Sequence, residues 1–328
     1  MKSSRVQYYF VLLALLLTAP LANAQTLVLQ RTFIEKYKNR ATIDGMFIVD
    51  HAHVRPNSPA KDGDLHAAGR SLEVGLPMVS EVMNAAGDSQ AGVVDAIHAN
   101  EGNDTAVPIS GAWRIWFEHP SRVPQIQFDD VPPAGNTDPA HCFEIHPITK
   151  YAGTPILESL QEINGYTPKD AESAFGRYEQ LSATLDIADQ AVTITSKQVG
   201  FNYVAFTAQL AGKPDSLDKN DAGVADGQVV LANVMDNAGD AVLVNDVRLI
   251  FIAGTKPADV LASAGSGATL ELLALPRLDL NAISAFMAAG GSGSVVRKLP
   301  YEMIVVSAKN ADSAPPQPII ARRTRGHS

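Results

Sequence analysis

Seven of the eight histidines lie between His51 and His146, at positions 51, 53, 66, 98, 119, 141 and 146. Acidic residues share the bias: residues 41–153 hold 15 Asp and Glu against 6 Lys and Arg, a local charge of −9. Three polar pairs in this stretch are spaced by two, His51-x-His53, Asp64-x-His66 and Glu144-x-His146. Residues two apart in an extended strand share a face. Each pair therefore offers two ligand atoms on one side of a strand. Imidazole and carboxylate together suit Zn²⁺ or another divalent ion, and such an ion can activate a bound water for hydrolysis. The candidate metal ligands are thus His51, His53, Asp64, His66, Glu144 and His146, and the candidate cofactor is a divalent metal. No H-E-x-x-H or comparable signature accompanies them. The competing reading makes them cross-strand polar pairs on the solvated face of a barrel.

The last pair sits in a run with clean alternation, His141 to Thr149. Phe143 and Ile145 point to one face, and Cys142, Glu144 and His146 to the other. Cys142 is the only cysteine, so the chain cannot close a disulfide on itself. A reactive thiol needs an electropositive setting, which Glu144 opposes, so Cys142 reads as a small, half-buried strand residue. Nucleophilic catalysis finds no G-x-S-x-G. Asp62-Gly63-Asp64 lacks the later ligands of a calcium loop. The Gly-rich run from Gly290 follows a helix and precedes a strand, the reverse of a phosphate loop. The acidic run Asp215, Asp218, Asp221 and Asp226 reads as a solvated loop. Arg114 and Trp116 share a face of the strand expected over 109–119. They form a candidate ligand-binding pair, because small β-barrels often bind ligands through exposed aromatics.

These residues need a sheet to position them. Strands are expected at 46–54, from Asp64 onward, at 109–119 and at 141–149, with Asp62-Gly63 marking a hairpin. The segment 76–85 fits a strand or a short helix. Several short strands with a tight first hairpin predict a small closed barrel over 41–153. Here the residues resemble a known pattern. Asp62-Gly63-Asp64-Leu65-His66, followed by Glu144-Ile145-His146-Pro147, is similar to motifs of uncharacterised bacterial exported proteins with an OB-type barrel. In that group D-G-D-x-H opens the second strand and E-[IVL]-H-P closes the barrel. The resemblance covers about a third of the chain and implies a fold but no activity. This chain departs from the pattern in a longer insert between the two motifs.

Before the barrel, Thr26 to Arg40 has rough helical spacing with cations at its end, which predicts a helix over 25–40. After it, 154–180 reads as a helical connection, with Thr167-Pro168 as a helix start. Strands at 181–187, 191–196, 203–210, 228–235, 241–252 and 303–307, with a helix at 279–289, predict a second, sandwich-like or part-barrel β domain over 181–309. The fold class is therefore mostly β: an OB-like barrel, then a β-rich domain, with a few short helices. No fixed-period repeat appears.

The ends address the compartment. Lys2 and Arg5, the apolar run Tyr8 to Leu17, and Ala22-Asn23-Ala24 have the three parts of a cleavable signal peptide over 1–24. The apolar run is too short to span a bilayer, so the expectation is an exported, periplasmic or extracellular protein with no transmembrane segment after cleavage. Residues 310–328 read as a disordered, basic tail. Net charge is −9, and loss of Lys2 and Arg5 with the leader takes it to −11. That charge argues against nucleic acid as a partner and leaves a protein, peptide or saccharide ligand. The leading expectation is a non-catalytic binding or interaction protein. A metal-dependent hydrolase built on the His and acid cluster is the first alternative, and a structural or assembly protein of the cell envelope the second.

Overall fold

The computed structural model describes residues 24–119, 121, 123–133, 140–290 and 293–311. The leader up to residue 23 and the tail from residue 312 lie outside the described residues, so the expectations for both rest on sequence alone.

The described residues open with a strand, β1 (Ala24–Gln30), that runs directly into α1 (Arg31–Tyr37). This corrects the helix expected over 25–40. Gln25, Leu27 and Leu29 are buried and the residues between them are not, a period of two. Thr26 and Val28 are β-branched and stiff at χ1, which favours the extended form once a partner strand is present. Only Phe33, Ile34 and Tyr37 keep helical spacing, and they form the buried face of α1.

The first barrel follows. Its strands are β2 (Thr42–Ala52), β3 (Leu65–Ser71), β4 (Met78–Val82), β5 (Ala106–Ile115) and β7 (Phe143–Tyr151), with α2 (Ala91–Asn100) between β4 and β5 and the short β6 (Gln125–Ile126) between β5 and β7. Around the barrel the order is β2-β3-β4-β7-β5 and back to β2. Every pairing is antiparallel except β4 with β7. This is OB connectivity, with the helix after the third strand. The crossing of β5 and β7 depends on Gly111, where the register slips. A Cβ at that position would lie 2.5 Å from both Ile145 Cγ2 and Pro147 O. Segment 76–85 proves to be strand, and 93–99 falls in α2.

A short β8 (Thr154–Pro155) pairs back onto β7, and β9 (Lys169–Asp170) leads into α3 (Ala171–Tyr178). The expected cap at Thr167 is three residues too early: Lys169 and Asp170 pair with Val204 and Ala205, so the chain stays extended. The Asp170 carboxylate then accepts from Ser173 N at 2.9 Å and caps α3.

The hairpin of β10 (Ser182–Ile187) and β11 (Ala191–Lys197) precedes β12 (Val204–Leu210), the short β13 (Asp215–Ser216), β14 (Gly227–Met235) and β15 (Val242–Ile252). Then come α4 (Lys256–Ser263), β16 (Thr269–Leu278), α5 (Leu280–Ala288), β17 (Gly293–Lys298) and β18 (Tyr301–Asn310). The second β-rich region, expected as sandwich-like, also closes on itself. Its order is β12-β14-β15-β18-β16 and back to β12, with only β15 and β18 parallel among these strands. That is the order of the first barrel, and α4 stands where α2 stands.

A third sheet, in the order β17-β10-β11-β1-β6, is hydrogen-bonded separately from the barrel sheets and packs into the same apolar core. The β10 and β11 hairpin belongs here rather than to the second barrel. The sheet's two edges come from equivalent places: β6 connects the fourth and fifth strands of the first barrel, and β17 those of the second.

The barrels meet through an apolar cluster of their own. Ala41, Met83 and Ala112 of the first pack with Ile250, Leu273 and Ile304 of the second. Strands of the second barrel are therefore buried on both faces, and β18 shows five buried residues in succession.

Candidate functional site

Beside that apolar contact lies a buried set of charged side chains. Glu144 and His146 sit on β7, and Asp64 and His66 at the start of β3. Glu81 comes from β4 and Arg114 from β5, while Tyr203 stands just before β12 of the other barrel. Asp64, Glu81, Glu144, His146 and Arg114 are all buried. The strand order explains the convergence. β7 pairs with both β4 and β5, so Glu144 stands opposite Val79 on one side and Arg114 on the other. His66 is the register partner of Glu81.

His146 is the hub. Its Nε2 lies 2.8 Å from the Tyr203 hydroxyl and 3.2 Å from Asp64 Oδ2, and Tyr203 donates to that same carboxylate oxygen at 2.6 Å. On the other edge of the ring, Nδ1 faces Glu81 Oε2 at 3.4 Å and Glu144 Oε2 at 3.6 Å. The Nδ1 contacts are electrostatic and not aligned as hydrogen bonds. Burial pulls the His146 pKa down, but Glu81, Asp64 and Glu144 outweigh it and hold it up at about 10. His66 behaves alike: burial opposes the charge, while Glu81 at 3.2 Å and Asp62 at 3.8 Å raise it to about 9. Glu144 is held well below the usual carboxylate range, because Arg114, His141 and His146 overcome the burial that would raise it. At neutral pH Arg114, His66 and His146 thus carry charge around the ionised Glu144, while burial, against the pull of His146 and His66, raises the Glu81 pKa.

Arg114 ties this set to the second barrel. It pairs with Glu144, reaches Glu118 at 2.7 Å, and donates through Nε to the Pro276 carbonyl at 3.0 Å. Arg277 answers from β16. It pairs with Glu302 at 2.7 Å, donates to the carbonyls of Arg40, Ala41 and Trp113, and lies 3.5 Å over the Trp113 ring. Asp226 makes a third tie, accepting from Arg40 Nε at 3.1 Å and Thr42 N at 3.0 Å, and from the Thr42 hydroxyl. The acidic loop read as solvated thus ends in a buried joint residue.

The expected sites change accordingly. The metal set of six does not converge. His51 is 82% exposed and lies 3.6 Å from Glu101. His53 stacks on the His66 ring at 4.7 Å, with its backbone carbonyl accepting from His98 Nε2 at 2.9 Å. Asp64, Glu144 and His146 do come together. Glu81 and Tyr203 complete their surroundings and were missed; Glu81 sits in the all-buried β4, whose apolar neighbours hide it. The ligand-binding pair is corrected too. Arg114 is an interior ion-pair member. Trp116 is 2% exposed and meets Tyr178 edge-on with ring centroids 5.4 Å apart, so no aromatic face is offered. Cys142 is buried rather than half-buried, and burial pushes its thiol up to about 12.

A second grouping lies at the outer end. His119 and His141 stack with ring centroids 4.4 Å apart, and both point Nε2 at Glu144 Oε1, at 3.7 Å and 3.3 Å. Burial and His141 together lower the His119 pKa.

Open concave surface lies elsewhere. A cleft of about 680 Å³ runs between the 162–171 connection and the outside of β12 and β16, bounded by Tyr166, Phe206, Asn237 and Lys309. A shallower one of about 450 Å³ lies between the β2–β3 loop and the start of α2. No described helix is long and apolar enough to cross a membrane.

No family model matches the chain, and no curated protein matches it. Among solved structures, the chain is similar to the wild-type single-stranded DNA binding protein from Thermus aquaticus, at 11% identity and a TM-score of 0.23, over 85% of this chain and 95% of that one. A deletion mutant of the same protein matches at 11% identity and a TM-score of 0.23, over 85% and 97%. The exclusion of nucleic acid is corrected at this point. It rested on net charge and on the acidity of 41–153, while these two solved structures are single-stranded DNA binding proteins. A likeness of this strength assigns no ligand to the chain.

Proposed function

We propose that this chain is an exported, non-catalytic binding protein in which two OB-like barrels are locked together by a buried ionic joint. The observation that carries the reading is the inward closure of the His and acid set. A hydrolytic centre needs a carboxylate or imidazole within reach of a substrate. Here His146, Asp64 and Glu81 are spent on one another and on Tyr203 from the second barrel. The residues richest in chemistry hold the barrels in register and leave recognition to surface clefts, of which the one beside Tyr166 is the larger. Export rests on the three-part leader pattern in residues 1–24.

Two measurements test this. Intact mass of the protein recovered from a bacterial host should begin at Gln25; retention of Met1 would remove the export element. The same protein should leave ester, phosphodiester and glycoside substrates unchanged with and without added Zn²⁺ or Mn²⁺. Metal-dependent turnover that survives repurification would replace the binding reading with the hydrolase. A thermal-shift screen that includes single-stranded oligonucleotides then sorts the ligand class.

A further inference from the structure

We infer that His119, His141 and Glu144 form a site for one divalent transition-metal ion of the Zn²⁺ class, at the outer end of the joint. Glu144 divides its carboxylate: Oε2 belongs to Arg114, while Oε1 faces both imidazoles. The spacing fits an ion. Zn–N and Zn–O bonds of about 2.0–2.1 Å in a tetrahedron put neighbouring ligand atoms roughly 3.3–3.4 Å apart. The two Nε2 to Oε1 distances are 3.3 and 3.7 Å, and all three ligand atoms lie within 4.8 Å of one another. The rings are stacked and inclined by 22°, so His119 has to rotate out of the stack for both Nε2 lone pairs to meet at one ion. His119 is 37% exposed, which gives it room to turn and gives an ion a way in. Two imidazoles and one carboxylate favour zinc and its first-row neighbours over Mg²⁺ or Ca²⁺.

The inner trio of Asp64, Glu81 and His146 is as compact but differs in kind. Its carboxylates stand at opposite edges of one imidazole, Asp64 at Nε2 and Glu81 at Nδ1, and cannot converge on an ion through that ring. In the outer trio, by contrast, all three atoms face one another. The position also has a consequence. His119 follows the fourth strand of the first barrel, and His141 and Glu144 begin the fifth. An ion held there clips the two ends of the 120–140 connection together. Binding to the folded form alone then raises stability with metal concentration.

Calorimetric titration of the tag-free, EDTA-stripped protein with Zn²⁺ tests the site, with Co²⁺ absorption reporting the geometry. One equivalent should bind, with a rise in Tm. His119→Ala and His141→Ala should each weaken binding by tenfold or more and abolish the Tm rise. His51→Ala, which removes an exposed imidazole elsewhere, should change neither. His141 is buried, so the half-exposed His119 decides the matter if His141→Ala does not fold. No binding by the wild type, wild-type affinity in His119→Ala, or an equal loss in His51→Ala would each overturn the site. Metal-dependent hydrolysis would overturn the binding-protein reading and leave this site standing.

Discussion

Tyr203 and Asp64 are 139 residues apart in sequence and share a 2.6 Å hydrogen bond with neither side chain exposed. One belongs to the segment that begins the second barrel, the other to the second strand of the first. The bond ties the barrels together and seats His146, which contacts both groups. The polar residues of the first barrel are thus answered by the second.

Tyr203→Phe removes the hydroxyl and nothing else of size. Asp64 and His146 then each lose a partner in a site without solvent. The expected loss is about 1–3 kcal/mol, the range for a buried polar group left unsatisfied. Urea unfolding should show a lower midpoint with the slope unchanged; a midpoint equal to wild type would mean that water reaches the site.

Arg277→Met leaves Glu302 buried beside Arg248 alone and takes a donor from three backbone carbonyls, of which Arg40 O keeps Trp113 Nε1 at 2.8 Å. Breaking a buried pair from one side costs about 3–5 kcal/mol. Arg277→Met combined with Glu302→Gln should recover part of that loss, because the buried Glu302 charge is removed and Arg248 keeps Asp279 at 3.8 Å. A double variant no more stable than the single would show that the carbonyl contacts, not the ion pair, carry the residue's effect.

His66 makes stability fall at alkaline pH. Its pKa rises from 6.5 unfolded to about 9 folded, so the folded state binds the extra proton between those values. The stabilisation is complete below pH 6.5 and is lost as pH rises through 9. His66→Gln should lessen the decline of Tm between those limits and leave the share due to His146, raised to about 10; an unaltered slope would assign the titration to another group.

Asp279 acts at the acid end with an unusual sign. Burial and Glu302 raise its pKa from 3.8 to about 6 against the opposing pull of Arg248. The protonated form is favoured on folding, so its contribution is present below pH 3.8 and fades as pH rises through 6. The same carboxylate caps α5 through Ala282 N at 2.9 Å, and Asn caps equally well. Asp279→Asn should therefore raise Tm at pH 7, by an amount that vanishes at pH 4.

The first barrel was legible because its strands announce themselves. The hairpin at Asp62-Gly63 and the alternation of Phe143 and Ile145 both survive in β3 and β7. The hairpin strands expected at 181–187 and 191–196 and the α5 start at Asp279 are likewise where local chemistry puts them. What failed was anything decided by a distant partner. β1 looked helical until β11 supplied its ladder. β16 was overlooked because Leu270 to Leu278 is almost continuously buried, carries Pro276 and shows no alternation. The polar face of β7 was read as solvated or metal-bound, since one strand's sequence cannot reveal that a second barrel will cover it. Glu81 and Tyr203 gave no local signal for the same reason.

Differential scanning calorimetry of the full chain tests the joint most directly. If buried charges fuse the two barrels, wild type unfolds in a single cooperative transition, and Arg277→Met or Tyr203→Phe lowers it or splits it in two. Two separate transitions in the wild type, with neither moved by these substitutions, would contradict the account.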